Sequence, residues 1–199
     1  EGFALRSESV QYLALSFAER DWDGDGKDDP VAGLARAEVF YKGRERETHV
    51  REVFQRIGDV LFDRTEYARA AEAYRMAIAT WPLAPENPRL QDRVVVAMER
   101  LRNFEQALRE REQLARTYVE GSEWAKQNRD NEAALADGLN LADLALMNVV
   151  LRRHESAQKL REEAQAKNDP KLRAQAVEEY RQAADSYDAY LKQHPNSKD

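Results

Sequence analysis

An all-α fold is predicted for this 199-residue chain from three features of its sequence. Ala, Glu, Arg and Leu are abundant, and only 8 glycines and 6 prolines interrupt the chain, which favours helices. Apolar residues recur at the spacing of one helix face, as at Phe54, Ile57 and Leu61. A two-helix pattern also recurs along the chain. We therefore expect at least seven helices, stacked as antiparallel pairs, and no sheet.

The first predicted unit, residues 1–50, is a helix pair around an acidic loop. Helices are predicted for Ser7–Glu19 and Val31–Glu47, on either side of the loop sequence RDWDGDGKDDP. These two helices are spaced unlike the later pairs. The unit is therefore predicted to be a cap or a divergent repeat.

The clearest helix pair is predicted at residues 51–84. The residues that pattern its second helix and its end are Tyr67, Ala70, Tyr74, Ala77 and Pro82. Proline stops this helix because it cannot continue the hydrogen-bond ladder. Small residues at Gly58 and Ala70 let two helices approach closely, so we expect these two residues to touch.

Two further units are predicted at residues 88–121 and 131–197. The first has helices at Pro88–Arg102 and Phe104–Val119 and matches the pattern less regularly. The last repeats the second-helix pattern at Tyr180, Ala183, Tyr187, Tyr190 and Pro195. Its first helix, from about Asn131 to about Gln165, is too long for a regular repeat, and Asp169 is expected to cap the helix that follows. Residues 51–199 are thus predicted to form one continuous domain with irregular terminal units.

This order of large and small residues in the 51–84 unit resembles the tetratricopeptide repeat (TPR), a helix pair of roughly 34 residues. The resemblance implies an α-solenoid, a right-handed superhelix of antiparallel helix pairs. It also implies a non-catalytic scaffold that binds a protein or peptide, with the first helix of each pair lining the groove.

The C-terminal sequence AADSYDAYLKQHPNS, Ala183–Ser197, is similar to the ending of bacterial cell-envelope TPR proteins of the BamD and CpoB (YbgF) type. That similarity implies an adaptor in a cell-envelope assembly. The protein would then be periplasmic or outer-membrane associated, with a signal peptide or lipid anchor encoded upstream of residue 1. A cytoplasmic TPR adaptor in regulation or secretion is the alternative.

The TPR resemblance also assigns residues to a partner groove. They are Glu52, Gln55, Arg56, Asp59, Phe62 and Asp63 in the 51–84 unit, and Asp92, Arg93, Val96, Glu99 and Arg100 in the next unit. An ordinary solvated helix face is the alternative interpretation of these residues. Some family members hold carboxylate-ended chaperone tails with Lys and Asn at the positions of Gln55 and Asp59. An acidic residue there would repel a carboxylate, so this ligand is not expected.

The acidic loop is a candidate calcium site. The residues that match the first, third, fifth, seventh and ninth positions of an EF-hand loop are Asp21, Asp23, Asp25, Lys27, through its carbonyl, and Asp29. Gly26 takes the sixth position, where the loop turns sharply. The twelfth position is Ala32, where the motif requires a bidentate Glu, so any calcium affinity should be weak. The alternative is a solvated connector in which Asp29 caps the helix after Pro30.

Several other functions are excluded or disfavoured by the composition. The net charge of −6 and the mixing of Arg with Glu argue against nucleic-acid binding, and the absence of cysteine excludes disulfides and thiolate catalysis. His49, His154 and His194 are far apart, and no phosphate-binding, dinucleotide or serine-hydrolase motif is present, so we do not expect an enzyme. No uncharged run approaches the roughly 20 residues of a membrane span, so no transmembrane segment is predicted.

Overall fold

The computed structural model describes residues 2–29 and 33–193. Within these ranges all of the regular structure is helical, and no strand is present. The nine helices described are α1 Gly2–Ala18, α2 Leu34–Tyr41, α3 Thr48–Asp63, α4 Tyr67–Thr80, α5 Asn87–Arg100, α6 Phe104–Thr117, α7 Glu123–Gln127, α8 Glu132–Lys167 and α9 Pro170–Gln193. The predicted all-α class is confirmed.

Three helices differ from the sequence prediction. α1 begins at Gly2, five residues before the predicted start at Ser7. The helix predicted for Val31–Glu47 is shorter, because α2 ends at Tyr41 and Gly43 adopts a φ of 79°, which a helix cannot continue. The five-residue α7 was not predicted. It begins where the Ser122 hydroxyl accepts a hydrogen bond from the Ala125 amide at 3.1 Å, a side-chain cap between the units predicted at 88–121 and 131–197.

Neighbouring helices pack in sequence along the chain. α3 packs on α4, α4 on α5, α5 on α6, α6 on α8 and α8 on α9, while α1 packs on α3. One buried cluster extends from α1 to α6 and includes Ile57, Tyr74 and Val94. A second, centred on Leu114 and Trp124, joins α6 and α7 to the first half of α8.

Gly58 allows a close contact with the Tyr74 ring, which was not predicted; the expected contact with Ala70 stays a prediction. The atoms nearest to a Cβ added at Gly58 belong to the ring of Tyr74, at 2.4 Å, rather than to Ala70. The Tyr74 ring is fully buried, and its hydroxyl donates a hydrogen bond to Asp59 at 2.8 Å. An aromatic ring therefore fills the space left by the glycine, and Ala70 is buried in the same core cluster as Tyr74.

We expect Ala70→Leu to lower the free energy of unfolding by roughly 1–3 kcal/mol, because Ala70 is completely buried and three added carbons would overpack the core. Ala68→Leu is the matched control, since Ala68 lies on the exposed side of the same helix. Urea denaturation of both variants measures the difference. Equal stability of the two variants would show that the core around Ala70 accommodates a leucine side chain without overpacking.

A buried tryptophan joins α7 to its neighbours. Trp124 packs edge-on against Tyr118, with ring centroids 5.4 Å apart, and its indole N–H donates to the Ala84 carbonyl at 2.8 Å. A Cβ at Gly138 in α8 would lie 2.3 Å from the Trp124 ring. The glycine thus lets α8 lie directly on this indole. Trp22, in contrast, is 65% exposed beside Arg36.

A buried carboxylate links α4, α5 and α6. Glu110 accepts hydrogen bonds from Gln91 at 2.6 Å, Gln106 at 2.8 Å and Arg75 at 2.5 Å. Burial raises the pKa of Glu110, but these three donors outweigh burial, and the net shift is downward. The carboxylate is therefore held ionised inside the helix array.

The turn into the last helix has the predicted cap. Asp169 accepts a hydrogen bond from the Lys171 amide at 2.8 Å, and Asn168 takes a left-handed φ of 48° at the end of α8. The expected cap at Asp169 is confirmed. Pro195 and His194 lie outside the described residues.

Candidate functional site

The groove residues predicted on α3 line a cleft against α1. Glu52, Gln55, Arg56 and Asp59 form one wall of a cleft of about 230 Å³. The other wall is formed by Arg6, Ser7 and Val10. These α1 residues were not predicted from the sequence. Their spacing indicates which face of α1 is polar, but it does not indicate on which helix α1 packs.

Polar and aromatic contacts connect four helices side by side. Arg6 of α1 pairs with Glu52 of α3 at 2.5 Å. The Arg93 guanidinium of α5 lies 5.1 Å from the centre of the Phe62 ring of α3. The second contact brings Phe62 and Arg93, two of the predicted groove residues, next to each other.

The row continues from α5 to α8. Arg89 of α5 pairs with Asp137 of α8 at 2.5 Å. Leu144, which is 53% exposed, lies two turns further along α8. The helices α1, α3, α5 and α8 thus form one connected surface, which we call the first-helix row.

Asp59 is partly committed to the fold. Its carboxylate accepts the Tyr74 hydroxyl and lies 3.6 Å from Arg56. Burial, and then the Asp59 charge, raise the pKa of Tyr74, so the hydroxyl stays protonated as the donor. Substitution of Asp59 would therefore disturb both the cleft and the α3–α4 contact.

Two predicted groove residues on α5 lie close to α6 instead of α3. Glu99 pairs with Arg111 of α6 at 2.7 Å. Burial raises the pKa of Asp92, and the charge of Arg111 partly offsets this effect. Asp92 and Glu99 therefore face the α5–α6 contact, whereas Arg100 and Asp63 remain exposed and Val96 is half-buried.

A second, larger cleft was not predicted. It has a volume of about 450 Å³ and lies between α6, α8 and α9. Its polar wall includes Arg153, which pairs with Glu112 of α6 and lies 3.6 Å from Glu179 of α9. Arg153 is thus occupied in joining three helices.

The acidic loop brings three of its five predicted ligands together. The carboxylates of Asp21, Asp23 and Asp25 each have an oxygen within 4.8 Å of the others. Asp21 also accepts hydrogen bonds from the Gly24 and Gly26 amides at 2.8 and 2.9 Å. The three carboxylates are a suitable partial ligand set for a hard divalent cation.

Asp29 has other partners in this loop. Its Oδ2 atom accepts hydrogen bonds from the Trp22 amide at 2.6 Å and from Arg36 at 3.0 Å. The Lys27 amide donates to Asp25 at 2.9 Å. Pro30 and Ala32 lie outside the described residues. Calcium takes six to eight oxygens, so water would have to complete the shell around the three carboxylates and the Lys27 carbonyl.

We expect any calcium binding to be weak, at the sub-millimolar to millimolar end of the range for such loops. Calorimetric titration and the melting temperature, with and without millimolar calcium, measure it. A response that Asp23→Asn with Asp25→Asn removes would assign the site, with magnesium as the ion control. No heat and an unchanged melting temperature would leave the loop as a connector.

The two histidines within the described residues have separate surroundings. His49 of α3 lies 5.7 Å from the Tyr41 ring, and His154 of α8 lies 5.7 Å from the Tyr180 ring. They do not form a catalytic pair with a nucleophile in the described part of the chain.

One helix, α8, is long and apolar enough by length and composition to cross a membrane, although no membrane span was predicted. About a third of its most apolar segment is buried, and the helix packs on α5, α6 and α9. The core helix of a soluble protein meets the same criterion. The absence of a membrane span stays a prediction.

Comparison with known proteins gave no match to a family model, a curated protein or a solved structure. The TPR resemblance accordingly stays a prediction from the residues.

Proposed function

We propose that this protein is a non-catalytic scaffold that binds a protein or peptide along the first-helix row. The observation that carries the proposal is the side-by-side connection of α1, α3, α5 and α8 through Arg6–Glu52, Phe62–Arg93 and Arg89–Asp137. An α-solenoid of the TPR kind stacks the first helices of successive pairs in this way. We propose this arrangement for the chain.

The chemistry of the row favours a particular kind of peptide. Arg56 and Arg93 are exposed, and Phe62 lies beneath Arg93. Guanidinium groups bind carboxylates well, and the adjacent ring offers an apolar contact. A peptide with an acidic residue next to an apolar one fits this part of the surface.

Selection of peptides from a displayed library tests the groove. We expect the wild-type protein to select peptides that Arg56→Glu with Arg93→Glu binds at least about tenfold more weakly. Arg109→Glu with Arg129→Glu is the control, because it changes the net charge equally at exposed positions on α6 and after α7. If the groove variant binds as well as the control variant, the partner surface lies elsewhere.

We further propose that the scaffold acts in a bacterial cell-envelope assembly, either in the periplasm or associated with the outer membrane. The support is the ending at Ala183–Ser197 and the weak calcium affinity expected of the acidic loop, which suits an extracytoplasmic calcium concentration. The complete gene tests the location: a signal peptide or lipid-anchor motif before residue 1 is expected. A coding sequence that starts near residue 1 without one would favour the cytoplasmic adaptor.

A further inference from the structure

The last helix carries a stripe of apolar residues along one side. Its members are Val177, Tyr180, Ala184, Tyr187 and Leu191. They are separated by alternating steps of three and four residues, which is the spacing of the buried seam between two packed helices. Val177, Tyr187 and Leu191 are nevertheless 64%, 37% and 55% exposed.

The other sides of α9 are already in use. Ala176 and Ala183 are buried in the contact with α8, which is the only extensive helix contact of α9 among the described helices. Gln182, Asp185 and Ala189 line the 450 Å³ cleft shared with α6. The apolar stripe lies on the remaining side, where Tyr180 contacts His154 and Arg161 of α8, whereas Val177, Tyr187 and Leu191 stay exposed.

The charges beside the stripe are self-complementary. Arg181 and Asp188 lie beside the stripe, on the side that faces away from α8. Arg181 precedes Ala184 in the sequence, and Asp188 comes after it. If a second α9 packs antiparallel on the first, Arg181 of each copy lies beside Asp188 of the other copy. The antiparallel arrangement therefore forms two ion pairs between the copies. A parallel arrangement would place identical residues at the same level and form neither pair.

The same antiparallel arrangement also matches the apolar residues. Tyr180 of one copy lies opposite Leu191 of the other, and Ala184 lies opposite Tyr187. A tyrosine therefore meets an aliphatic residue at both of these levels. A contact in which the same patch is used by both copies closes on itself and stops at two subunits.

We propose that this chain forms a two-fold symmetric dimer through antiparallel packing of α9 against α9 of a second copy. In the single chain Arg181 pairs with Glu178 and Asp185, and Asp188 pairs with Lys192. These pairs are solvent-exposed and contribute little, so exchanging them for pairs between copies costs little. The seam from Val177 to Leu191 is only about 21 Å long. Because so short a contact buries little surface, we expect a weak dimer that forms at high protein concentration.

Sedimentation of the full chain over a wide concentration range tests the proposal. The wild-type protein is expected to convert from monomer to dimer, and Leu191→Lys is expected to weaken dimerisation about tenfold or more. Phe104→Lys is the matched control, because Phe104 is an exposed apolar residue on α6, away from the stripe. It should leave the dimer unchanged. Circular dichroism confirms that each variant is folded.

A charge exchange tests the antiparallel geometry. Arg181→Asp alone and Asp188→Arg alone should each weaken the dimer several-fold, because each change places like charges side by side. The double exchange should restore it. A monomer at every concentration, open-ended growth beyond two subunits, or a double variant no better than the single ones would overturn the proposal.

Discussion

Replacing Trp124 by alanine is expected to lower the free energy of unfolding by about 3–5 kcal/mol, the range for deletion of a large buried aromatic side chain. The indole is almost completely buried, and it fills the space between Tyr118 and Gly138. Its loss would leave a cavity beneath α8. The Ala84 carbonyl would also lose one of its two donors and keep only the Asn87 amide, at 3.2 Å.

Urea denaturation followed by circular dichroism measures this loss. Trp22→Ala is the control, because Trp22 is the same residue type but largely exposed. The control is expected to change stability by no more than about 0.5 kcal/mol. Similar values for the two variants would show that the α7–α8 contact does not depend on the indole.

Replacing Glu110 by alanine is expected to cost about 2–4 kcal/mol, since it removes the acceptor shared by Arg75, Gln91 and Gln106. Gln91 is buried and would keep only its long hydrogen bond to the main-chain carbonyl of residue 110, at 3.4 Å, whereas the partly exposed Arg75 would regain water. Glu105→Ala, at a highly exposed position on the same helix, is the control. If both variants are equally stable, the buried network does not hold the three helices together.

The same carboxylate gives the stability a pH dependence. The folded protein lowers the pKa of Glu110. The stabilisation by this carboxylate is therefore complete above the pKa that Glu110 has in the unfolded chain, and it is lost as the pH falls through the pKa of Glu110 in the folded protein. Glu110→Gln should therefore remove part of the loss of stability in acid. Comparison of denaturation midpoints between neutral and acidic pH measures this effect, and parallel profiles for the two proteins would contradict it.

Local patterns predicted the helices well. The stripe at Phe54, Ile57 and Leu61 is buried in α3 as expected, and Asp169 caps α9. Such signals work because helix periodicity and capping depend on residues within one turn of each other. α7 escaped prediction because five residues are too few to show a period.

Contacts between distant residues were harder to predict. Gly58 correctly indicated a close approach of two helices, but spacing alone could not show that the Tyr74 ring fills the gap. Glu110 stands in a highly charged stretch of the sequence, and no pattern there indicated that its side chain is buried. Among the predicted groove residues, Arg56 and Arg93 lie on exposed helix faces, whereas Glu99 pairs with Arg111 of α6. The rotation of a helix about its axis depends on all of its neighbours.

The length of α8 has a consequence for how the molecule unfolds. With 36 residues α8 is about 54 Å long, whereas the 14 residues of α6 span about 21 Å. The far end of α8 therefore extends past α6, and only small residues, Ala157 and Ala164, are buried there in the part that packs on α9. This end can open while the helices around Trp124 stay intact. The tryptophans, all at or before residue 124, would not report that opening, so fluorescence and circular dichroism should give different unfolding curves.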